Sequence, residues 1–150
     1  MIGTPAYMSP EQARGEVDRL DQRTDVYALG AILYFILTGR PPFDAASAAE
    51  IRSRMMVDSP APPRKLRPGV PRRLEAICLK AISKDPDTRY ATAEAMARDI
   101  SRFLDGLPVS AYRENVIEKT ERFVGRNKFI VVLILAYLLM RVLVLFFFGR

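Results

Sequence analysis

Apolar side chains recur along this chain with the spacing of α-helices, and no segment shows the alternation typical of a β-strand. Five apolar residues between Leu74 and Ile82 fall at positions i, i+3, i+4, i+7 and i+8. The segment from Asp25 to Leu37 is apolar on almost every face, which predicts a helix surrounded by protein. A second set with the 3.6-residue period consists of Ala93, Met96, Ala97, Ile100, Phe103 and Leu104. The pattern therefore predicts an all-α fold.

Capping and helix-breaking residues indicate where several helices begin and end. Ser9 followed by Pro10 is typical of an N-cap and the first position of a helix. Gly39, together with Pro41 and Pro42, predicts the end of the apolar helix. The other expected elements are a weaker helix over 46–56, an extended basic connection over 60–71 and a juxtamembrane helix over about 112–124.

Twenty residues, from Phe129 to Phe148, contain a single charge, Arg141, and are long enough to cross a hydrocarbon core of about 30 Å. Arginine at the bilayer centre costs about 2.5–3.5 kcal/mol, whereas each Leu, Ile, Phe or Val returns about 0.3–0.6 kcal/mol. Sixteen such residues lie in this window. We therefore expect a transmembrane helix over 129–148, and the alternative is a core helix of a soluble protein.

The net charge of +6 raises the possibility of nucleic-acid binding, so its distribution matters. Residues 1–105 carry a net charge of +2, and residues 106–150 carry +4, beside the apolar segment. We therefore expect a lipid bilayer as a partner, and no nucleic acid. Four cations precede the span and one follows it, which predicts a single-pass protein of the cell membrane with its N-terminal part in the cytoplasm. These cations are Lys119, Arg122, Arg126 and Lys128, followed by Arg150.

Two residue counts exclude whole classes of site. The chain has no histidine, which excludes catalytic triads built on histidine and His-based metal sites. Its one cysteine, Cys78, permits no internal disulfide and is interpreted as a small buried apolar residue. We assign no metal-ligating residue.

Three motifs follow one another along the chain. The first covers residues 3–15 and begins with Gly-Thr-Pro-Ala-Tyr-Met-Ser-Pro-Glu. The second covers residues 25–43, and the third is Lys-Asp-Pro-Asp-Thr-Arg-Tyr over residues 84–90. Together they resemble the C-terminal lobe of bacterial-type (Hanks-type) serine/threonine protein kinases. In this resemblance the first motif is similar to the end of the activation segment, the second to the central buried helix of the lobe and its exit, and the third to the turn that carries a late arginine.

The resemblance implies roles for particular residues. Glu11 and Arg89 would form a structural ion pair that ties the activation segment to the last helices, although both could instead be solvated charges. Asp25 would organise the lobe by accepting hydrogen bonds from the catalytic loop, or would simply be a carboxylate favoured at a helix N-terminus. The expected substrate-binding residues are Gly3, Thr4, Pro5 and Tyr7, and Thr4 as a phosphoacceptor is the weaker alternative.

The sequence departs from the family where phosphoryl transfer takes place. Complete kinases use a Gly-rich loop, a strand lysine, a catalytic Asp and Asn, and a magnesium-binding Asp. None of these precedes Gly3, and the first lysine is Lys65. Asn115 and Asn127 follow the last lobe helix. We therefore assign no catalytic and no cofactor-binding residue here, although ATP and magnesium serve the complete family member.

Two functions remain open. The chain is expected to be the C-terminal part of a membrane-anchored serine/threonine kinase, shortened by a gene-model error, a frameshift or partial sequencing, and inactive on its own. The alternative is a non-catalytic, membrane-tethered docking module that pairs with protein substrates or a complete kinase. In either case we expect several large apolar side chains of the central helix to lack partners. The expected domains are a partial kinase lobe over 1–105, a linker and juxtamembrane helix over 106–128, and the span over 129–148.

Overall fold

A computed structural model describes residues 5–148, apart from the side chains at positions 5, 121, 126, 135, 147 and 148. Within this range the chain forms α-helices, short 3-10 turns and no β-strand, so the predicted all-α class is confirmed. The helices are α1 (Pro10–Arg14), α2 (Gln22–Thr38), α3 (Ala48–Val57), α4 (Pro63–Leu66), α5 (Arg72–Ala81), α6 (Ala93–Leu104), α7 (Val116–Arg126) and α8 (Lys128–Phe148). They divide into two compact units between Arg113 and Glu114.

The predicted helix boundaries at Ser9 and Gly39 are confirmed. Ser9 caps α1, because its hydroxyl accepts a hydrogen bond from the Gln12 amide and its own amide donates to Gln12 Oε1 at 3.0 Å. Gly39 ends α2 in the left-handed conformation, with φ of 80°, where a side chain would be strained.

Three elements differ from the prediction. The helix expected from Asp25 begins three residues earlier, at Gln22, because the Asp21 side chain caps it by accepting from the Arg23 amide. The proline-rich connection is not extended throughout, because α4 forms within it with Pro63 at the first helical position, which needs no amide donor. The juxtamembrane helix begins at Val116, four residues later than expected, because Asn115 and Glu118 form a capping box there.

The core of the first unit lies where α2 packs against α5 and α6. One buried cluster comprises Val26, Ile77, Ala81, Tyr90, Met96 and Val109, and the second comprises Tyr27, Ala31, Tyr34, Cys78 and Ile82. Burial raises the pKa of the Cys78 thiol to about 12, so this side chain stays neutral and packs as an apolar group. A smaller cluster of Phe43, Ile51 and Met55 joins α3 to the lobe.

One face of α2 is apolar and exposed. Leu29, Ile32 and Phe35 are 43–47% exposed, and Ile36 is 68% exposed. These positions recur at helical spacing, so they form a continuous stripe opposite the buried side of the helix. Several large apolar side chains of this helix are thus left partly uncovered by the described residues, as expected.

In the second unit, α8 is apolar on every face. By length and composition it is a candidate membrane span, and none of this window from Lys128 to Phe146 is buried within the described part of the chain. A helix in the core of a soluble protein buries most of its side chains, which α8 does not do within the described residues.

Candidate functional site

A buried ion pair joins α1 to the turn before α6. Arg89 Nη1 lies 2.7 Å from Glu11 Oε1, and Arg89 Nη2 lies 2.8 Å from Glu11 Oε2. The side chains are 0% and 1% exposed, respectively. Two parallel hydrogen bonds between a planar guanidinium and a carboxylate give the strongest and most directional form of this pair. The structure thus brings together two residues that lie 78 positions apart.

The guanidinium of Arg89 also donates to three backbone carbonyl oxygens. Its Nε donates to Ser83 at 2.8 Å, Nη1 to Arg23 at 3.1 Å and Nη2 to Lys84 at 3.3 Å. Burying a charge is costly unless its hydrogen-bonding groups are satisfied. Arg89 therefore acts as a junction between α1, the first turn of α2 and the loop after α5.

The environment of Glu11 is equally well adapted to its charge. Thr24 Oγ1 donates to Glu11 Oε1 at 3.1 Å, and the Arg89 guanidinium lies 5.0 Å from the centre of the Tyr27 ring. Burial by itself raises the pKa of Glu11, but the hydrogen bonds and positive charge of Arg89 outweigh burial and lower the pKa to about 2. The carboxylate is therefore charged at neutral pH.

Local sequence brings both partners into position. Pro10 and the Ser9 cap start α1 so that Glu11 falls in its first turn, facing the core. On the other side, Asp85 caps a 3-10 turn by accepting from the Asp87 amide at 3.0 Å, and Arg89 follows in extended conformation. A short helix and a capped turn are thus both locally encoded.

The pKa of Glu11 makes the stability of the lobe depend on pH. Its ordinary pKa of 4.5 falls to about 2 on folding, so the stabilisation is complete above pH 4.5 and is lost as the pH falls toward 2. We expect urea unfolding of the full chain in detergent micelles to show a steeper loss of stability over this interval than Glu11→Gln shows. Equal slopes for the two proteins would contradict the assignment.

The structure places the other expected site residues as follows. Gly3 and Thr4 lie outside the described residues, as does the side chain of Pro5, whose backbone starts a 3-10 turn ending at Tyr7. Tyr7 is half-buried against the second core cluster. Asp25 is exposed in the first turn of α2, where a helix N-terminus favours a carboxylate.

One buried carboxylate was missed by the sequence analysis. Asp99 is 3% exposed, and its Oδ1 accepts from the Ser110 amide at 2.8 Å. Its Oδ2 accepts from Ser110 Oγ, the Ala111 amide and the Tyr90 hydroxyl, at 2.7, 3.0 and 2.8 Å. Burial alone raises the pKa of Asp99, but these hydrogen bonds outweigh burial and lower the pKa. The sequence feature that could have revealed it is an acidic residue three positions after Met96, on the apolar side of α6.

We expect Asp99→Asn to destabilise the lobe by about 1–3 kcal/mol, because one carboxylate oxygen becomes a donor that faces other donors. The Ser110 amide donates to Oδ1 and the Ala111 amide donates to Oδ2, so amide hydrogen exchange should accelerate at whichever of the two faces the new NH2 group. The exposed Asp105→Asn at the end of the same helix serves as the control and should change stability by less than about 0.5 kcal/mol. Unchanged exchange at both amides would refute this role.

Acidic side chains, the ligands that magnesium prefers, are not clustered in the described part of the chain. No group of three or more His, Cys, Asp or Glu that could hold a metal ion occurs among the described residues between 5 and 148. The two asparagines cap the ends of α7, Asn115 at its start and Asn127 at its end. We therefore derive no catalytic step through ATP or magnesium from this chain.

Comparison with known proteins gives the family. The protein kinase domain model matches residues 1–100. A probable serine/threonine-protein kinase PknB from Bifidobacterium longum is 45% identical over 112 residues, which are 74% of this chain and 16% of the relative. Serine/threonine-protein kinase PknB from Mycobacterium leprae is 45% identical over 111 residues, which are 74% of this chain and 18% of the relative.

A third relative, a probable serine/threonine-protein kinase from Streptomyces coelicolor, is 44% identical over 111 residues, which are 74% of this chain and 16% of the relative. The chain thus spans about a sixth of the length of the curated relatives it matches. The buried ion pair lies within the matched residues. The chain belongs to the protein kinase family, and its similarity is to bacterial serine/threonine kinases.

Proposed function

We propose that this chain supplies the substrate-facing part of a membrane-anchored serine/threonine protein kinase, which transfers phosphate from ATP to protein serine or threonine. The observation that carries the proposal is the buried bidentate pair between Glu11 and Arg89. It fixes α1, and with it the preceding turn ending at Tyr7, against the lobe. In this proposal Gly3, Thr4, Pro5 and Tyr7 shape the pocket for the acceptor residue of the substrate.

Phosphoryl transfer in this proposal needs groups that these 150 residues do not contain. Kinases position the phosphates of ATP with a Gly-rich loop, a lysine and magnesium-binding acids. The exposed apolar stripe on α2, formed by Leu29, Ile32, Phe35 and Ile36, supports a further polypeptide surface there. The ATP-binding part of a kinase domain is the occupant we propose, and Asp25 at the start of α2 would face its catalytic loop.

The membrane anchor rests on α8. We propose that residues 129–148 cross the bilayer, with the kinase lobe over 1–105 in the cytoplasm and residues 106–128 as the connection. Exposed apolar side chains on all sides of α8 support a lipid environment. The excess of cations before the span supports the cytoplasmic orientation of the lobe.

The proposal is tested with the full chain in lipid nanodiscs, alone and mixed with the ATP-binding part of a PknB-type kinase. We expect no ATP binding and no phosphorylation of a peptide by the chain alone, and phosphorylation by the mixture. Arg89→Met should abolish the activity of the mixture because it releases α1. Arg54→Gln, which breaks an exposed pair with Glu50, should leave that activity unchanged.

Two results would count against the proposal. Phosphorylation by the chain alone would show that its residues hold a nucleotide. Stable binding of the ATP-binding part without any phosphorylation would favour the second function, a membrane-tethered docking module that acts without catalysis.

A further inference from the structure

The amphipathic helix α7 carries an apolar face that the described residues of its own unit leave exposed. Val116, Ile117, Phe123 and Val124 are 79, 69, 60 and 41% exposed. At 100° per residue these four positions, together with Thr120, lie within about 120° of the helix circumference. The face is therefore a continuous apolar strip along most of the length of α7.

Charged residues lie outside this strip. Lys119 lies beside the strip, whereas Arg122 lies on the opposite, polar face of the helix and pairs with Glu114 at 3.0 Å. Residues 122–128 hold three cations and no acid. Gly125 lies away from the strip, and a Cβ atom there would meet nothing within 4 Å. This combination of an apolar face with cations outside it is typical of helices that lie in a membrane interface.

The position of α7 next to α8 points to the same partner. Only Asn127 separates the two helices, and its backbone, with φ of −115° and ψ of 36°, leaves the helical conformation. The polar headgroup layer on each side of a bilayer is about 5–8 Å thick. An upright α7 of eleven residues would extend about 16 Å from the span and would hold Val116 and Ile117 in water.

We propose that α7 lies flat in the cytoplasmic interface of the bilayer, with its apolar strip among the acyl chains and its cations at anionic lipid headgroups. This inference rests on the membrane anchor of the proposed function. A flat α7 keeps both ends of the strip at one depth, about 5–10 Å inside the headgroup boundary. The connection to the lobe is then a membrane-bound element with a defined orientation.

The chain contains no tryptophan, so a single introduced tryptophan reports the depth of its own position. We compare Phe123→Trp and Val116→Trp on the apolar strip with Gly125→Trp, which lies away from it. The full chain is reconstituted in vesicles of phosphatidylcholine and phosphatidylglycerol, and tryptophan fluorescence is quenched with brominated lipids. Circular dichroism of each variant confirms equal helix content.

A flat helix predicts equal quenching for Phe123→Trp and Val116→Trp, and at least about twofold weaker quenching for Gly125→Trp, because opposite faces of a helix differ in depth by about 10 Å. An upright helix predicts that positions 123 and 125 differ in depth by only about 3 Å and that position 116 is far shallower. The upright pattern, or equal quenching at all three positions, would overturn the proposal. If the tryptophans at positions 123 and 116 lie equally deep in vesicles with and without phosphatidylglycerol, anionic headgroups do not contribute to the binding of α7.

Alkaline carbonate extraction of the same vesicles tests the anchor separately. Retention of the chain combined with the upright pattern means that α8 spans the membrane while the inference on α7 fails. Release of the chain, combined with deep tryptophans at positions 123 and 116 before extraction, means that the anchor fails while the interfacial helix stands.

Discussion

Replacing Arg89 by methionine lowers the free energy of unfolding of the lobe by about 3–5 kcal/mol, because it leaves the buried Glu11 carboxylate without its cation. Methionine keeps most of the volume of the side chain, so loss of packing contributes little. The carboxylate must then be protonated or hydrated within the core. Three backbone carbonyl oxygens lose a donor at the same time, which adds to the cost.

Chemical unfolding of the full chain in detergent micelles, followed by circular dichroism, measures this effect. Arg54→Gln is the matched control, since its pair with Glu50 is exposed and should contribute less than about 1 kcal/mol. In the double variant Glu11→Leu with Arg89→Met, no charge is left unpaired, so stability should recover in part. A loss below about 1 kcal/mol for Arg89→Met would show that the pair does not hold the lobe together.

The helices that the sequence predicted correctly are those whose ends carry their own signals. Ser9 with Pro10, and Gly39 after α2, act within one turn of the chain, so no knowledge of the rest of the fold is needed. The expected pairing of Glu11 with Arg89 came from the resemblance to a family and not from any local pattern. No periodicity connects two residues 78 positions apart.

The features that were missed depend on contacts between distant segments. The counted periodicity placed Ala97 and Leu104 on the apolar side of α6, but both are exposed, whereas Asp99 is buried. The 3.6-residue period of apolar residues describes a single helix and carries no information about the segments that pack against it. The environment of Asp99 is decided by the segment around Ser110, which brings two backbone amides to its carboxylate.

The exposed apolar surfaces of α2 and α8 differ in kind. On α2 the stripe covers one face of a helix whose other face is buried in the lobe, which is typical of a surface that packs against protein. On α8 apolar side chains face every direction, which is typical of a helix surrounded by lipid. Length and hydropathy single out α8 as a candidate span, and the burial pattern adds that one face of α2 is covered by the lobe.

Replacing Gly30 by alanine destabilises the lobe by about 1–3 kcal/mol, although the same change usually stabilises a helix by up to about 1 kcal/mol. A Cβ atom on Gly30 would lie 2.6 Å from Ala81 Cβ, 2.8 Å from Ile82 Cγ2 and 3.1 Å from the carbonyl carbon of Ala81. Backbone and short side chains cannot move aside as a long flexible chain would. The helices α2 and α5 must therefore separate, which loosens the core that both clusters share.

Gly125→Ala is the matched control, since it is also a glycine within a helix but its Cβ would meet no atom within 4 Å. Urea unfolding should show a lower midpoint for Gly30→Ala and an unchanged lobe midpoint for Gly125→Ala. Ala81→Gly in the Gly30→Ala background removes the nearest contact and should restore part of the stability, whereas Gly30→Val should lose more than Gly30→Ala. If Gly30→Ala unfolds at the same or a higher urea concentration than the unsubstituted chain, the close packing of α2 on α5 does not limit the stability of the lobe.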